Sequence, residues 1–383
     1  MIRWPMKALG ELITIEKGKK AHEVFPASTK TSLRYLQIED LRPEAKIKYC
    51  EPFSCPRATV SDVILAWDGA NAGTVSWNLD GYIGSTLAIV RPHGERISAP
   101  FLSRFLEGRF DYLQKTATGA TIPHISKNAL FTLKIPIPPL AEQKRIVKLL
   151  DEADALRKLR AQADRRASAL ISALFHEMFG DPATNPKGWP VKQSGELMVS
   201  CEYGTSQKAD ELNQGIPIIR MGNVTMEGNL DVRDLKTVDM ADGNFSKYRL
   251  QAGDVLFNRT NSRELVGKTG MWDGRFRAVA ASYFIRVRFN PEIEHPRHFT
   301  VFMNLSASKR LLAEMARGSV GQANINAKEL KSIKIPVPPL PLQKQFAARV
   351  AEIRAMENAQ ALNREKLDAL FQSLLDRAFN GEL

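Results

Sequence analysis

The chain has 383 residues, 44% hydrophobic and 25% charged, ordinary values for a soluble globular protein with room for two or three cores. No apolar run is long enough to cross a bilayer, the first twenty residues lack a secretory apolar stretch, and Cys50, Cys55 and Cys201 make no disulfide framework; a cytoplasmic setting without membrane contact is expected. Lysine and arginine total 54 against 42 acidic residues, formally +12, an excess that suits a polyanion such as nucleic acid but must be gathered into a face by folding, because no block of like charge stands out.

The first hundred residues read as mixed strand and loop. "EKGKKAH" (Glu16–His22) and Arg34 supply local basic character. "SDVILAW" (Ser61–Trp67) and "STLAIVRP" (Ser85–Pro92) have strand composition, and the residues near Ala99–Gln114 read as helix. Between the strands, "WDGANAGTVSWN" (Trp67–Asn78) holds Asn71 and no basic residue; its glycines have the wrong spacing for a phosphate loop. "ATGATIPHIS" (Ala117–Ser126), with His124, is small and polar. It suits either close approach to a nucleic-acid backbone or a tight strand entry.

"LKIPIPPLAEQKRI" (Leu133–Ile146) follows. Its prolines exclude a helix interior or a central strand, so the phrase is an extended connection with a sharp helix start. The next forty or so residues are helical. A heptad places Ile146, Ala153, Arg160, Ala167 and Leu174 at a, and Leu149, Leu156, Ala163 and Leu170 at d. "FGDP" (Phe179–Pro182) ends the helix.

The second half repeats this order. "GDVLFN" (Gly253–Asn258) and "SYFIRVRF" (Ser282–Phe289) read as strands, and His298–Gly318 as helix. Between the strands, "FNRTNSRELVGKTG" (Phe257–Gly270) gathers Asn258, Arg259, Thr260, Asn261, Ser262, Arg263 and Lys268. Arginine can pair with guanine and asparagine with adenine, while hydroxyls serve bases or phosphates; the same loop can also be a solvated hairpin. "RGSVGQANIN" (Arg317–Asn326) places Asn324 where the first half has His124. "IKIPVPPLPLQKQF" (Ile333–Phe346) restates the Pro-rich phrase. The second long helix then carries Phe346, Ile353, Gln360, Leu367 and Leu374 at a, with Met356, Asn363 and Leu370 at d; Val350 stands in for Arg349. It ends at "FNGEL".

Motifs for catalysis are missing. "VGKTG" (Val266–Gly270) has Ser262 where a phosphate loop needs its first glycine. No dinucleotide fingerprint, nucleophile elbow, adenine-methyltransferase motif or Cys/His cluster occurs. "HPRH" (His295–His298) contains Pro296, which disfavours a ligand-bearing helix there, so no metal site is expected.

The repeat is nearly gapless. Ile125 matches Ile325, Pro138-Pro139-Leu140 matches Pro338-Pro339-Leu340, Gln143-Lys144 matches Gln343-Lys344, and Phe179 matches Phe379. Upstream the match weakens, though "WPMKALGEL" (Trp4–Leu12) echoes "WPVKQSGEL" (Trp189–Leu197). This is a duplicated domain with divergent globular parts. Two long helices of about 60 Å each, at about 1.5 Å per residue, most simply pack on each other, although each could instead pack on its own globular part. Arg160, Gln360 and Asn363 would then form a polar layer in the seam.

These "IPxPPL…QK" phrases, the helices after them, "FGDP…GWP" (Phe179–Pro190) and the terminal "AFNGEL" together resemble the specificity (S) subunits of type I restriction–modification systems, across the whole chain. One departure is Pro341-Leu342 in place of Ala141-Glu142, which removes a carboxylate from the second helix start. The resemblance implies an α+β chain: two mixed α/β target-recognition domains (1–135 and 183–335) separated by two long antiparallel coiled-coil helices, with a pseudo-two-fold internal repeat. The junction-plus-helix segments are 136–182 and 336–383.

It further implies a non-catalytic subunit that reads a bipartite double-stranded DNA target, one half-site per domain. Two methyltransferase (M) subunits would supply S-adenosylmethionine chemistry, and restriction (R) subunits would use ATP and Mg; no cofactor is expected in this chain. The alternatives are an orphan or alternative S subunit, the recognition component of another methyltransferase-based defence system, and a non-DNA coiled-coil scaffold. The candidate DNA contacts are Lys17, Lys19, Lys20, Arg34, Asn71 and His124 in the first part. In the second they are Asn258, Arg259, Thr260, Asn261, Ser262, Arg263, Lys268 and Asn324. The expected helix seam comprises Ile146, Leu149, Leu156, Arg160, Leu170, Leu174, Phe346, Ile353, Met356, Gln360, Leu367, Leu370 and Leu374.

Overall fold

A computed structural model describes residues 4–42, 46–119, 121–210, 215–316 and 323–383. The segment Arg317–Gln322, part of the second small polar stretch and the end of the expected His298–Gly318 helix, lies outside the described residues, as does Ala120. The chain divides into two compact units, one made of Met1–Ala161 with Leu362–Leu383, the other of Gln162–Ala361. The division runs through the long helices and not at the Pro-rich junctions, so each unit holds a piece of both.

Each unit is built on a four-stranded antiparallel sheet of the same order. In the first, Ile13–Lys17 pairs with Leu87–Pro92, which pairs with Val63–Ala66 and then Val75–Trp77. In the second, Met198–Tyr203, Phe284–Phe289, Val255–Asn258 and Thr269–Met271 take the same places. Both central strands of each sheet are mostly buried, which is why "DVIL" and "DVLF" read as apolar runs and not as alternating patterns. A second, smaller sheet adds a parallel pair in each unit, Leu33–Leu36 with Gly81–Ile83 and Ile216–Ile219 with Val279–Ala280.

The expected helix near Ala99–Gln114 is present as Ala99–Glu107 and Phe110–Lys115. The expected His298–Gly318 helix starts earlier and is broken. Pro296 opens it at the first helical position, where its missing N–H costs nothing, and Leu305 is extended between Pro296–Asn304 and Ser306–Met315. Pro296 therefore begins the helix that it was expected to oppose. Among the described residues no group of three His, Cys, Asp or Glu could hold a metal ion.

The Pro-rich phrase becomes a short edge strand. Lys134–Pro136 pairs with Met6–Ala8, and Lys334–Pro336 with Val191–Gln193. Ile137 N donates to Pro5 O and Val337 N to Pro190 O, so the Trp-Pro dipeptides opening each half are tied to the phrases closing it. The long helices follow at once, Leu140–Phe179 and Leu340–Asn380. Pro341 lies in the first turn of the second, where proline is tolerated. Gly180 and Gly381 adopt positive φ just past the helix ends, as left-handed caps require.

Within each unit the early turns of one helix meet the late turns of the other. In the first unit Arg157 bonds Asp368 at 2.7 Å and lies over the Phe371 ring, while Glu142 and Arg145 share a cavity wall with Arg377 and Gly381. In the second, Phe346 sits against Phe175 and Phe179. Each helix piece also packs on its own globular part: Ile146, Val147, Leu150 and Ala153 share a core with Phe101, Leu102, Phe105 and Phe371. The two packings expected as alternatives occur together.

That double duty shifts the seam. Ile146 and Phe346 are buried as expected, and Arg160, Leu174, Ile353, Gln360, Leu367 and Leu374 are half-buried. The second row falls one residue later than expected at Leu150, Ile171 and Phe371, and at Val350 as expected, all buried. Leu149 is left half-buried, and Leu156, Leu170, Met356 and Leu370 are 53%, 45%, 50% and 50% exposed. The buried stripe turns toward the globular core as well as the sister helix, so the spacing alternates four and three residues in the opposite phase. Asn363 is exposed and drops out of the expected polar layer, while the Gln360 side-chain oxygen is buried without a hydrogen-bond partner among the described residues.

Candidate nucleic-acid interface

Two structural ties recur in both units and explain the repeated motifs. Gln143 is fully buried; its amide donates to Arg96 O and Pro138 O, and its Oε1 accepts from Ser98 N at 2.9 Å. Gln343 does the same with Ile293 O, Pro338 O and His295 N. The glutamine of each "QK" thus clamps the Pro-rich phrase to the start of the helix at Ala99 or Pro296. The aspartate of each "DV" is also buried: Asp62 accepts from Arg91 Nε at 2.8 Å and from Thr59 N, and Asp254 accepts from Arg288 Nε at 2.6 Å and from Gln251 N. Burial alone would raise the Asp62 pKa, but the bonds from Arg91 and Thr59 outweigh it and hold the carboxyl below its ordinary range.

At the end of each main sheet, three elements converge. In the first unit they are the end of the strand Ile13–Lys17, the residues after Ala66, and the small polar stretch at His124. Lys17 Nζ donates to Asp68 Oδ2 at 3.0 Å and lies 6.0 Å from the Trp67 ring centroid. His124 Nδ1 lies 2.6 Å from Asp68 Oδ1. In the second unit Arg259 lies 4.9 Å from the Tyr203 ring centroid and donates from Nη2 to Asn324 Oδ1 at 3.1 Å.

The backbone makes these clusters equivalent. Ile125 N donates to Trp67 O, and Ile325 N to Arg259 O, each at 2.9 Å. Gly18 and Gly204, which follow Lys17 and Tyr203, both press on carbonyls where a Cβ would come within 2.2 and 2.3 Å, so only glycine fits. Lys17 therefore corresponds to Tyr203, Trp67 to Arg259, Asp68 to Thr260 and His124 to Asn324. The cation and the aromatic ring have exchanged places.

The remaining candidates divide. Lys19, Lys20 and Arg263 are exposed. Arg34 is committed to Asp40 at 2.7 Å, and Asn71 accepts from Arg42 at 2.5 Å within its turn. Asn261 is half-buried and accepts from Ser262 N, in the turn that Leu265 and Val266 close onto Ser262 O. Three expected contacts are interior. Asn258 is fully buried, Thr260 is buried in the short pairing of Thr260–Asn261 with Ala323–Asn324, and Lys268 is buried with Nζ on Met221 O and Val224 O. Burial lowers the Lys268 pKa; burial and then Lys268 push Lys309, which bonds Gly267 O, down to about 7. These lysines brace the loop from inside. A loop's polar composition cannot reveal which of its side chains turn inward.

Trp67, Asp68 and Tyr203 are members of the clusters that the sequence did not single out. The available signal was the alignment of Gly18 with Gly204, which places Lys17 opposite Tyr203. Next to the second cluster a cavity of about 830 Å³ opens between Thr205, Lys208, Arg220, Asn223, Asp231 and Tyr283. It joins the cluster through the bond from Arg259 N to Tyr283 O.

Each compact unit carries a cationic, hydrogen-bonding cluster at the matched sheet end of a duplicated scaffold. The chain belongs to the type I restriction–modification DNA specificity family, whose domain model matches residues 1–164 and 186–368. It is 25% identical over 359 residues to the type I restriction enzyme EcoKI specificity subunit of Escherichia coli K12, covering 84% of this chain and 75% of that one. It is 25% identical over 403 residues to the MjaVIII specificity subunit of Methanocaldococcus jannaschii, covering 99% and 93%. The crystal structure of the type I restriction–modification S subunit from M. genitalium superposes with a TM-score of 0.60 at 15% identity, covering 99% of this chain and 96% of that one. That likeness bears on the fold. Among the described residues no helix is long and apolar enough to cross a membrane.

Proposed function

We propose that this chain is the DNA-reading, non-catalytic subunit of a type I restriction–modification complex, and that each compact unit recognises one half of a bipartite duplex target. The observation that carries the reading is the matched pair of clusters. They occupy equivalent places on a common scaffold, yet they hold different side chains. Lys17, Asp68 and His124 present one pattern of donors and acceptors, and Arg259 and Asn324 another. Different patterns at equivalent places suit two unlike half-sites.

The exposed apolar positions on the long helices, Leu156 and Leu159 in the first unit and Leu170 and Met356 in the second, support docking of methyltransferase subunits there. In this reading S-adenosylmethionine binds the M subunits, and ATP and Mg serve the R subunits. The experiment is methylome sequencing of cells that carry this chain with its M partner. Two unlike half-sites at a fixed spacing are expected. A single contiguous motif, or none, would overturn the reading.

A further inference from the structure

The two clusters differ in what they leave free, and this deepens the reading above, on which it rests. In the second unit Arg259 is held on two sides. Its guanidinium lies over the Tyr203 ring, and Nη2 donates to Asn324. Tyr203 is itself fixed, because its hydroxyl oxygen accepts from Ala327 N at 3.2 Å. The open donors are Nη1 and the second Nη2 hydrogen, with Asn324 Nδ2 beside them, while the Asn324 oxygen already accepts one bond. This cluster therefore presents mainly donors.

In the first unit Asp68 accepts from Lys17 on one oxygen and faces His124 Nδ1 with the other. A carboxylate can only accept, so His124 donates from Nδ1–H, and the uncharged form of the ring offers Nε2 as an acceptor. Lys17 keeps free N–H groups beside it. This cluster presents a donor next to an acceptor.

Base edges in the major groove differ in the same terms. Guanine shows two adjacent acceptors, N7 and O6, whereas adenine shows the N7 acceptor next to the N6 amine donor. We propose that Arg259, backed by Tyr203 and Asn324, reads a guanine in one half-site, and that Lys17 and His124, joined by Asp68, read an adenine edge in the other. Held in advance by ring and amide, the Arg259 fork loses little freedom on binding. An exposed lysine such as Lys20 has no such support and suits a phosphate.

The test is a binding selection from randomised duplexes by the full chain with its M partner. Wild type is compared with Arg259→Lys, Asn324→Ala, Asp68→Asn and His124→Ala. Arg259→Lys keeps the charge and loses the fork. It should relax one guanine position by about tenfold to a hundredfold in one half-site, with the other half-site and the salt dependence unchanged. Asn324→Ala should weaken the same position. Asp68→Asn and His124→Ala should relax an adenine in the opposite half-site. Uniform loss of affinity across all sequences would assign these groups to phosphates and overturn the inference, as would unchanged specificity. If the wild type selects no bipartite sequence, the functional reading itself fails, a result distinct from variants that keep wild-type specificity.

Discussion

The two units share their ties and differ in their heads. Gln143 and Gln343 make the same three bonds, and Asp62–Arg91 and Asp254–Arg288 are the same pairing of a buried aspartate with a partly exposed arginine. Yet the sheet ends carry Lys17, Trp67, Asp68 and His124 in one unit, and Tyr203, Arg259, Thr260 and Asn324 in the other. A second difference lies where the long helix meets the globular part. In the first unit Arg104 is neutralised by Asp151, Asp154 and Glu107. In the second, Val301 takes the place of Arg104, and Arg354 that of Asp154. Arg354 instead bonds Glu357 and Glu227 O. The difference teaches that the groups tying the backbone together are shared by the two units, while the side chains at the sheet ends and at the helix junction differ.

The ion pairs offer the largest way to break this comparison. Arg91→Ala and Arg288→Ala each leave a buried aspartate without its cation, and each should cost about 2–3 kcal/mol, less than for a fully buried pair because both arginines are partly exposed. For Asp62 the folded pKa is depressed, so its contribution is present above the unfolded value and is lost as pH falls through the folded one. Arg91→Ala should therefore lose part of its penalty at acid pH. Chemical denaturation at neutral and acid pH checks both. A cost in one unit only would show that the ties are not equivalent.

The glutamines come next. Gln143→Ala and Gln343→Ala leave two carbonyls and one N–H unpaired, and should each cost about 1–3 kcal/mol. Hydrogen exchange should report opening confined to the substituted unit. Opening in both would merge what the contacts divide.

Much of this scaffold was legible in the sequence. The duplication, the Pro-rich phrases and both long helices follow from residues such as Pro138, Gln143 and Phe179, because proline and periodicity act locally. The heads were half legible. Lys17, His124, Arg259 and Asn324 were candidates, but Trp67, Asp68 and Tyr203 join them only through contacts between strands distant in sequence. Asn258 and Lys268 looked like loop contacts and are interior. The seam phase was misread because Leu150 and Ile171 answer to two partners at once, while a heptad assumes one.

Smaller effects sharpen the contrast. Lys309 is a half-buried lysine of the second unit whose pKa desolvation lowers to about 7. A lysine with a lowered folded pKa binds fewer protons folded than unfolded, so stability rises as pH climbs from about 7 toward the ordinary lysine value. Lys309→Met should flatten that rise and add about 1–2 kcal/mol at neutral pH, as thermal melts across pH can show. Smaller still, Leu156→Gln and Met356→Gln should change stability by under about 0.5 kcal/mol, since both are half-exposed. They should nonetheless weaken co-purification of the M partner.

The central claim is that the scaffold is common and each unit's own surface chooses its half-site. The most direct measurement replaces residues 183–335 with a second copy of 1–135 and sequences the methylome of cells carrying this chain with its M partner. The account predicts a target made of two copies of the first half-site. Retention of the original second half-site in that chimera would contradict it.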